Sequence, residues 1–314
     1  DSSIVFFLYN SGNSNLFKKE LTNLKEFNHN KKHDLKTELE MIKYYIKLNK
    51  KLIIYLRNDG SGIYENINLL IDEYPNHILF IIKDFILREE KYYPTQGCNY
   101  GKYLIHKQFE KSNTREIKNL YNSFKKYFCY TIPFNRAVSY GFLGKKYETP
   151  KQEKIYDIFF IKRFREGQLN CLLRKKTLEH VLKLKDKYKI CTNSCSKDEY
   201  KIKLAQSKIC ISTWGLGESL NDDYFCILND VIVLKVDTTF LKDFYGLFEE
   251  NNIFHFYKLD FSDFESKIDN ILNNYDYYYN LYEKNRNKII NKFTKDYHIK
   301  VLSDKIKKEY NKIK

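Results

Sequence analysis

The sequence predicts an α/β protein of two units, each a mostly parallel sheet with crossover helices, followed by a helical C-terminal segment. Three observations carry that prediction. Short β-rich apolar runs alternate with helical patterns along the chain. An apolar fraction of 43% in 314 residues, with 28 Tyr and 23 Phe, supplies material for two cores. Finally, the polar stretch GKKYETPKQEK over 144–154 has no apolar period and carries Pro150 near its centre. The expected organisation is therefore an N-terminal unit over 1–143, a linker over 144–154, a second unit over 155–275 and C-terminal helices over 276–314, which could pack back on the first unit.

In the first unit, the apolar run over 4–9 predicts a strand that ends in the turn residues Asn10, Ser11, Gly12 and Asn13. Leu39, Ile42, Tyr45 and Ile46 lie on one face of a helix predicted over 35–49, which leads into a strand over 52–56. Residues 64–74 read as a helix and 77–82 as the next strand. A polar, aromatic loop is expected over 88–103, then a helix over 114–128 and a strand over 129–134.

The second unit opens with a strand over 156–161 that passes into the basic turn Lys162, Arg163 and Arg165. A helix through Leu178, Val181 and Leu182 and a strand over 188–191 follow. Ser196 and Glu199, three apart, form a capping-box signature before the strand over 208–213. Strands over 231–236 and 253–259 come next, and Ser262 with Glu265 opens a helix through Ile268, Ile271 and Leu272. From Asp276 onward the chain is Tyr- and Lys-rich and is expected to be helical.

Charge and cysteine usage narrow the function classes. The formal charge of +15 suits an anionic ligand or nucleic acid, but Lys, Asn, Ile and Tyr are abundant throughout, so the excess is spread rather than gathered in one patch. The seven cysteines lack a disulfide framework, which fits reduced thiols in the cytoplasm. Cys191 and Cys195 form the one close pair; without a second pair or a nearby His, no zinc site is expected. The His residues show no metal-ligand spacing, and His255, in an apolar strand, is expected in the core. No apolar run is long enough to span a membrane.

Chemistry concentrates in residues 207–237, SKICISTWGLGESLNDDYFCILNDVIVLKVD, which read as strand, glycine loop, acidic helix start and strand. Gly215 and Gly217 serve either as a tight turn or as a place where a ligand approaches the backbone. The helix start that follows offers free N–H groups to an anion, and Glu218, Asp222 and Asp223 offer acceptors to hydroxyl groups. In an open parallel sheet, ligands bind beyond the C-terminal strand ends, where the basic turn with Arg163 and Arg165 would also lie. Those arginines are either solvated surface charges or partners of a diphosphate. No dinucleotide fingerprint, no Gly-Lys-Ser/Thr loop and no Asp-x-Asp pair is present, which favours metal-independent stabilisation by cations and backbone N–H groups.

The 207–237 stretch resembles the donor-binding stretch of GT-B fold glycosyltransferases, group 1 type, where a strand leads into a glycine turn, an acidic helix and a second strand. The strand over 156–161 with Arg163 and Arg165 is similar to the start of that family's C-terminal domain. The resemblance implies two Rossmann-like domains across a cleft, with a nucleotide-sugar donor, such as a UDP-sugar, held mainly by the second. A glycan, protein or small-molecule acceptor would be held by the first. By the same resemblance Gly215 and Gly217 approach the donor phosphates, Asp222 or Glu218 binds ribose hydroxyls, and Arg163 and Arg165 neutralise the leaving diphosphate. Two registers are open. In one, Glu218 matches the first family acid and Phe225 replaces the second; in the other, Asp222 matches the second and Trp214 replaces the first.

Asp59, after the strand over 52–56, is the candidate general base for an inverting mechanism, although Asn58-Asp59-Gly60 is also a turn sequence in its own right. No cofactor and no metal are expected. Two alternatives stand beside this reading. One is a nucleic-acid-binding protein that stacks its C-terminal aromatics on bases; nucleic acid as the acceptor would merge it with the first. The other is an inactive scaffold that kept the fold and lost one donor acid.

Overall fold

A computed structural model describes residues 4–10, 35–57, 73–83, 86–87, 100–110, 132–133, 149–162, 164, 169–215, 221–242, 253–290 and 294–311. These form a mixed α/β structure with two parallel sheets.

The first sheet contains β1 (Ile4–Asn10), β2 (Lys51–Arg57), β3 (Ile78–Lys83) and the two-residue β5 (Ile132–Pro133), in the order β1-β2-β3-β5. Every pairing is parallel. Helix α1 (Leu35–Lys47) sinks Ile42 and Ile46 into the core and is stopped just before Asn49, whose φ of 54° is the left-handed conformation that Asn tolerates best after Gly. Within 88–103, expected as a loop, α2 (Tyr100–Ile105) forms instead and continues as a π-helical turn, His106–Glu110. It runs beside α3 (Leu169–Leu182), and buried Ile105 secures it. The expected helices over 64–74 and 114–128 lie almost wholly outside the described residues.

The second sheet has five strands: β6 (Tyr156–Phe159), β7 (Ile190–Cys191), β8 (Ser207–Ser212), β9 (Ile232–Val236) and β11 (Phe254–Tyr257). Their order is β11-β9-β8-β6-β7, again with all pairs parallel. Both faces are covered, so β9 and β11 are buried at every residue and read as continuous rather than alternating apolar runs. Helices α3, α4 (Lys197–Ala205) and α5 (Asn221–Leu228) lie in the connections β6–β7, β7–β8 and β8–β9, and α6 (Phe264–Asn273) follows β11.

The capping box of α4 forms as expected: Glu199 N donates to Ser196 Oγ at 3.3 Å, and Ser196 N donates to Glu199 Oε2 at 2.9 Å. The helix expected from Ser262 through Ile268, Ile271 and Leu272 also forms, with a later start and no such box. Helix α6 starts at Phe264 after Asp263, whose carboxylate accepts from Lys258 N at 2.8 Å, while Ser262 N donates to Asp260. Two neighbouring aspartates thus close the turn that precedes the helix. Phe261 holds φ at 63° within it and stacks on His180, with centroids 4.4 Å apart, and on Tyr257. That packing offsets a strain of about 1 kcal/mol.

Helix α7 (Tyr275–Ile290) buries Tyr282 against the second sheet's helical layer, and Tyr282 Oη donates to Cys226 O at 3.1 Å. Helix α8 (Lys295–Asn311) lays Leu302 and Ile306 over Ile53, Tyr55, Leu79 and Ile82 of the first sheet. A short antiparallel pair, β4 (Ile86–Leu87) with β10 (Leu241–Lys242), also joins early and late parts of the chain. Among the described residues no helix is long and apolar enough to cross a membrane.

Candidate functional site at the strand crossover

The order of the five-stranded sheet decides where its loops diverge. From β6 the chain moves outward to β7, then returns to the other side of β6 to lay down β8, β9 and β11. Neighbours β6 and β8 therefore send their C-terminal connections to opposite sides, and this is the point where doubly wound sheets open a ligand crevice. The loops leaving these two strands contain Lys162 and Thr213-Trp214-Gly215 respectively.

Lys162 and Asp222 tie the two strand ends together. Lys162 Nζ, three residues past β6, is ion-paired with Asp222 Oδ2 in the first turn of α5; their side chains are 3% and 21% exposed. A carboxylate there is also favoured by the helix macrodipole. Burial works against the charge on Lys162, but Asp222 outweighs it and raises the Lys162 pKa. In the same way, burial opposes ionisation of Asp222, and Lys162 reverses the effect and holds its pKa low. Tyr200, on α4, has its hydroxyl pKa pushed well up, first by burial and then by the Asp222 charge.

A second pair lies directly beneath. Asp223 Oδ2 is 2.9 Å from Lys235 Nζ, and Asp223 Oδ1 accepts from Ser212 Oγ. Burial lowers the Lys235 pKa, and Asp223 restores it only in part. Consecutive aspartates at one helix start thus face two different lysines, one from the end of β6 and one from within β9. The resulting lattice fixes α5 against three strands.

Above these pairs the chain turns through Trp214 and Gly215, both buried. The Trp214 ring meets Phe240 edge-on at 5.9 Å, and Phe240 meets Tyr100 of α2 at 4.9 Å. The Trp214 indole N–H and the Thr238 hydroxyl, on the loops after β8 and β9, are buried with no hydrogen-bond partner among the described residues. Unpaired buried donors of this kind cost about 1–3 kcal/mol each, which marks this strand edge as polar beyond its structural needs.

Comparison with known proteins adds little beyond shape. No protein-family model and no curated protein matches the chain. Among solved structures, one described as a GtfA/B complex has a TM-score of 0.44 and 9% identity, covering 87% of this chain and 61% of that one. Another, the pneumococcal O-GlcNAc transferase GtfA in complex with UDP and GlcNAc, has a TM-score of 0.41 and 10% identity, covering 85% and 55%. The chain thus spans about three-fifths of the length of the structures it matches.

Of the site residues expected from sequence, Gly215, Asp222 and Asp223 are described and lie at the C-terminal edge of the second sheet. Asp59, Arg163, Arg165, Gly217 and Glu218 lie outside the described residues. Sequence reading missed Lys235, Ser212 and Tyr200. The available signal was Lys235 itself, because a lysine inside a buried five-residue apolar strand requires a carboxylate partner.

Proposed function

We propose that this chain is a metal-independent glycosyltransferase that takes a nucleotide-sugar donor, a UDP-sugar, at the C-terminal edge of its five-stranded sheet. The observation that carries the reading is the Lys162–Asp222 pair, which draws the loops after β6 and β8 together across the strand crossover. The motif resemblance over 207–237 selects nucleotide sugars among crevice ligands, and the lack of an Asp-x-Asp pair in the sequence favours cations over a divalent metal at the phosphates. In this reading the units over 1–143 and 155–275 are Rossmann-like and face one another across the linker at 144–154. Free thiols at Cys171, Cys191, Cys195, Cys210 and Cys226 go with a reducing, cytoplasmic setting.

The roles follow from charge. Asp222 is committed to Lys162 and Asp223 to Lys235, so both act as positioning residues and Glu218 takes the ribose hydroxyls. Gly215 and Gly217 let the backbone approach the diphosphate, while Arg163 and Arg165 neutralise it as it departs. In the transfer step an acceptor oxygen bonds to the anomeric carbon as the bond from that carbon to the phosphate oxygen breaks. Negative charge then builds on the leaving nucleotide, where fixed cations lower the barrier most. Asp59 receives the acceptor proton. The acceptor is a glycan, a protein or a small hydroxyl compound.

A thermal-shift panel of nucleotide sugars tests this. At least one nucleoside diphosphate or its sugar should raise Tm, and Arg163→Ala and Gly217→Val should each remove the rise. A flat response across the panel would reject the proposal.

A further inference from the structure

At the opposite, N-terminal edge of the five-stranded sheet lies a cavity of about 140 Å³, lined in part by Lys151, Gln152, Lys154, Asn229, Tyr279 and Arg286. Two helix C-termini converge on it. Lys154 Nζ donates to Ala205 O, the last residue of α4, at 2.8 Å, and to Asp230 O, just past α5, at 2.7 Å. Arg286 Nε donates to Ile227 O and lies 3.2 Å from Asp230 Oδ1. The Asp230 carboxylate is thereby spoken for by Arg286, and the half-buried ammonium of Lys154 is held by two neutral carbonyls.

Among the described residues that line this cavity the charges do not balance: Lys151, Lys154 and Arg286 face one carboxylate, Asp230, which leaves two positive charges. The two helix ends offset about half a charge each, so roughly one positive charge is left over. Burial pushes the Lys154 pKa down to about 8, against an upward pull from Asp230. The size also discriminates. A cavity of 140 Å³ is far larger than the ~15 Å³ a water needs but well below the ~300 Å³ where pockets for drug-sized ligands begin.

We propose that this cavity is a binding site for a small oxyanion of the phosphate class, held by Lys154 and Arg286, with Lys151, Gln152 and Tyr279 around it. The bound anion joins the segment at 149–154 to α7 and to the ends of α4 and α5. This site is separate from the one assigned to the donor and does not depend on that assignment.

The test is thermal unfolding of the full chain in inorganic phosphate against chloride at matched ionic strength. Phosphate should give a saturable Tm rise of roughly 2–4 °C, kept in Arg163→Ala and lost in Lys154→Met. Because Lys154→Met could weaken the fold by itself, wild-type protein is also acetylated at pH 8 and read by mass spectrometry; phosphate should slow labelling of Lys154 at least threefold relative to chloride. A rise no larger than chloride gives, a rise that survives in Lys154→Met but vanishes in Arg163→Ala, or unchanged labelling of Lys154 would each overturn the proposal.

Discussion

Lys235 Nζ, near the C-terminal end of β9, and Asp223 Oδ2, in the first turn of α5, sit 2.9 Å apart, and neither side chain is exposed to solvent. Such a pair is costly to assemble and costlier to break. Asp223→Asn leaves a buried ammonium unpaired and should destabilise the protein by about 3–5 kcal/mol, whereas Asp223→Asn with Lys235→Met should recover most of that loss. Urea unfolding of the two variants decides the matter; a double variant as weak as the single one would contradict it.

Asp222 and Glu218 should separate stability from ligand binding. With Lys162 nearly buried against it, Asp222→Asn should lower stability by about 2–4 kcal/mol. Glu218→Ala should leave the unfolding midpoint nearly unchanged yet remove the Tm response to the nucleotide sugar. The opposite pattern, with Asp222 silent in stability, would return Asp222 to direct contact with the ribose.

His255 gives the fold an acid sensitivity. It is 8% exposed in β11, beside the Tyr278 ring at 5.1 Å, and burial, helped by Lys267, lowers its pKa from 6.5 to about 4. Since the unfolded chain takes up this proton first, the folded state loses stability as pH falls from about 6.5 to about 4, by roughly 3 kcal/mol in all. Above pH 6.5 the contribution is fully present. Denaturation of wild type and His255→Leu across this range should show a slope that the variant lacks.

Ser196 closes a capping box on an exposed helix start, so its effect should be local and modest. Ser196→Ala is expected to cost about 1 kcal/mol, and Ser196→Asp much less, since aspartate caps nearly as well. Equal losses in both variants would mean that the hydroxyl does more than cap.

The elements most legible in the sequence were those whose cause is local. Residues 231–236 announce a doubly buried strand by an almost unbroken apolar run, and Ser196 with Glu199 announces a cap by spacing alone. The helix read from Ser262 begins two residues later, at Phe264, because Asp260 and Asp263 close the turn before it. Helix Tyr100–Ile105 escaped notice because six residues make under two turns, too few to display a period, and its stability comes from α3. Strand order is non-local, so nothing near β6 foretells that β8 rather than β7 follows it across the crossover. The same limit applied to the candidate site. Gly215 and the acidic helix start were visible as turn chemistry, but the partners of Asp222 and Asp223 come from β6 and β9 and emerge only once the strands are side by side.

The cover that Leu302 and Ile306 place over Ile53, Tyr55, Leu79 and Ile82 sets a timetable for biogenesis. These four residues leave the ribosome roughly 220–250 residues before their cover, on the order of ten seconds or more at typical synthesis rates. During that interval a face of the nascent sheet is bare and open to chaperones or to neighbouring chains. Expression yield should therefore respond more sharply to Leu302→Asp or Ile306→Asp than to any change on the solvent side of the same helix.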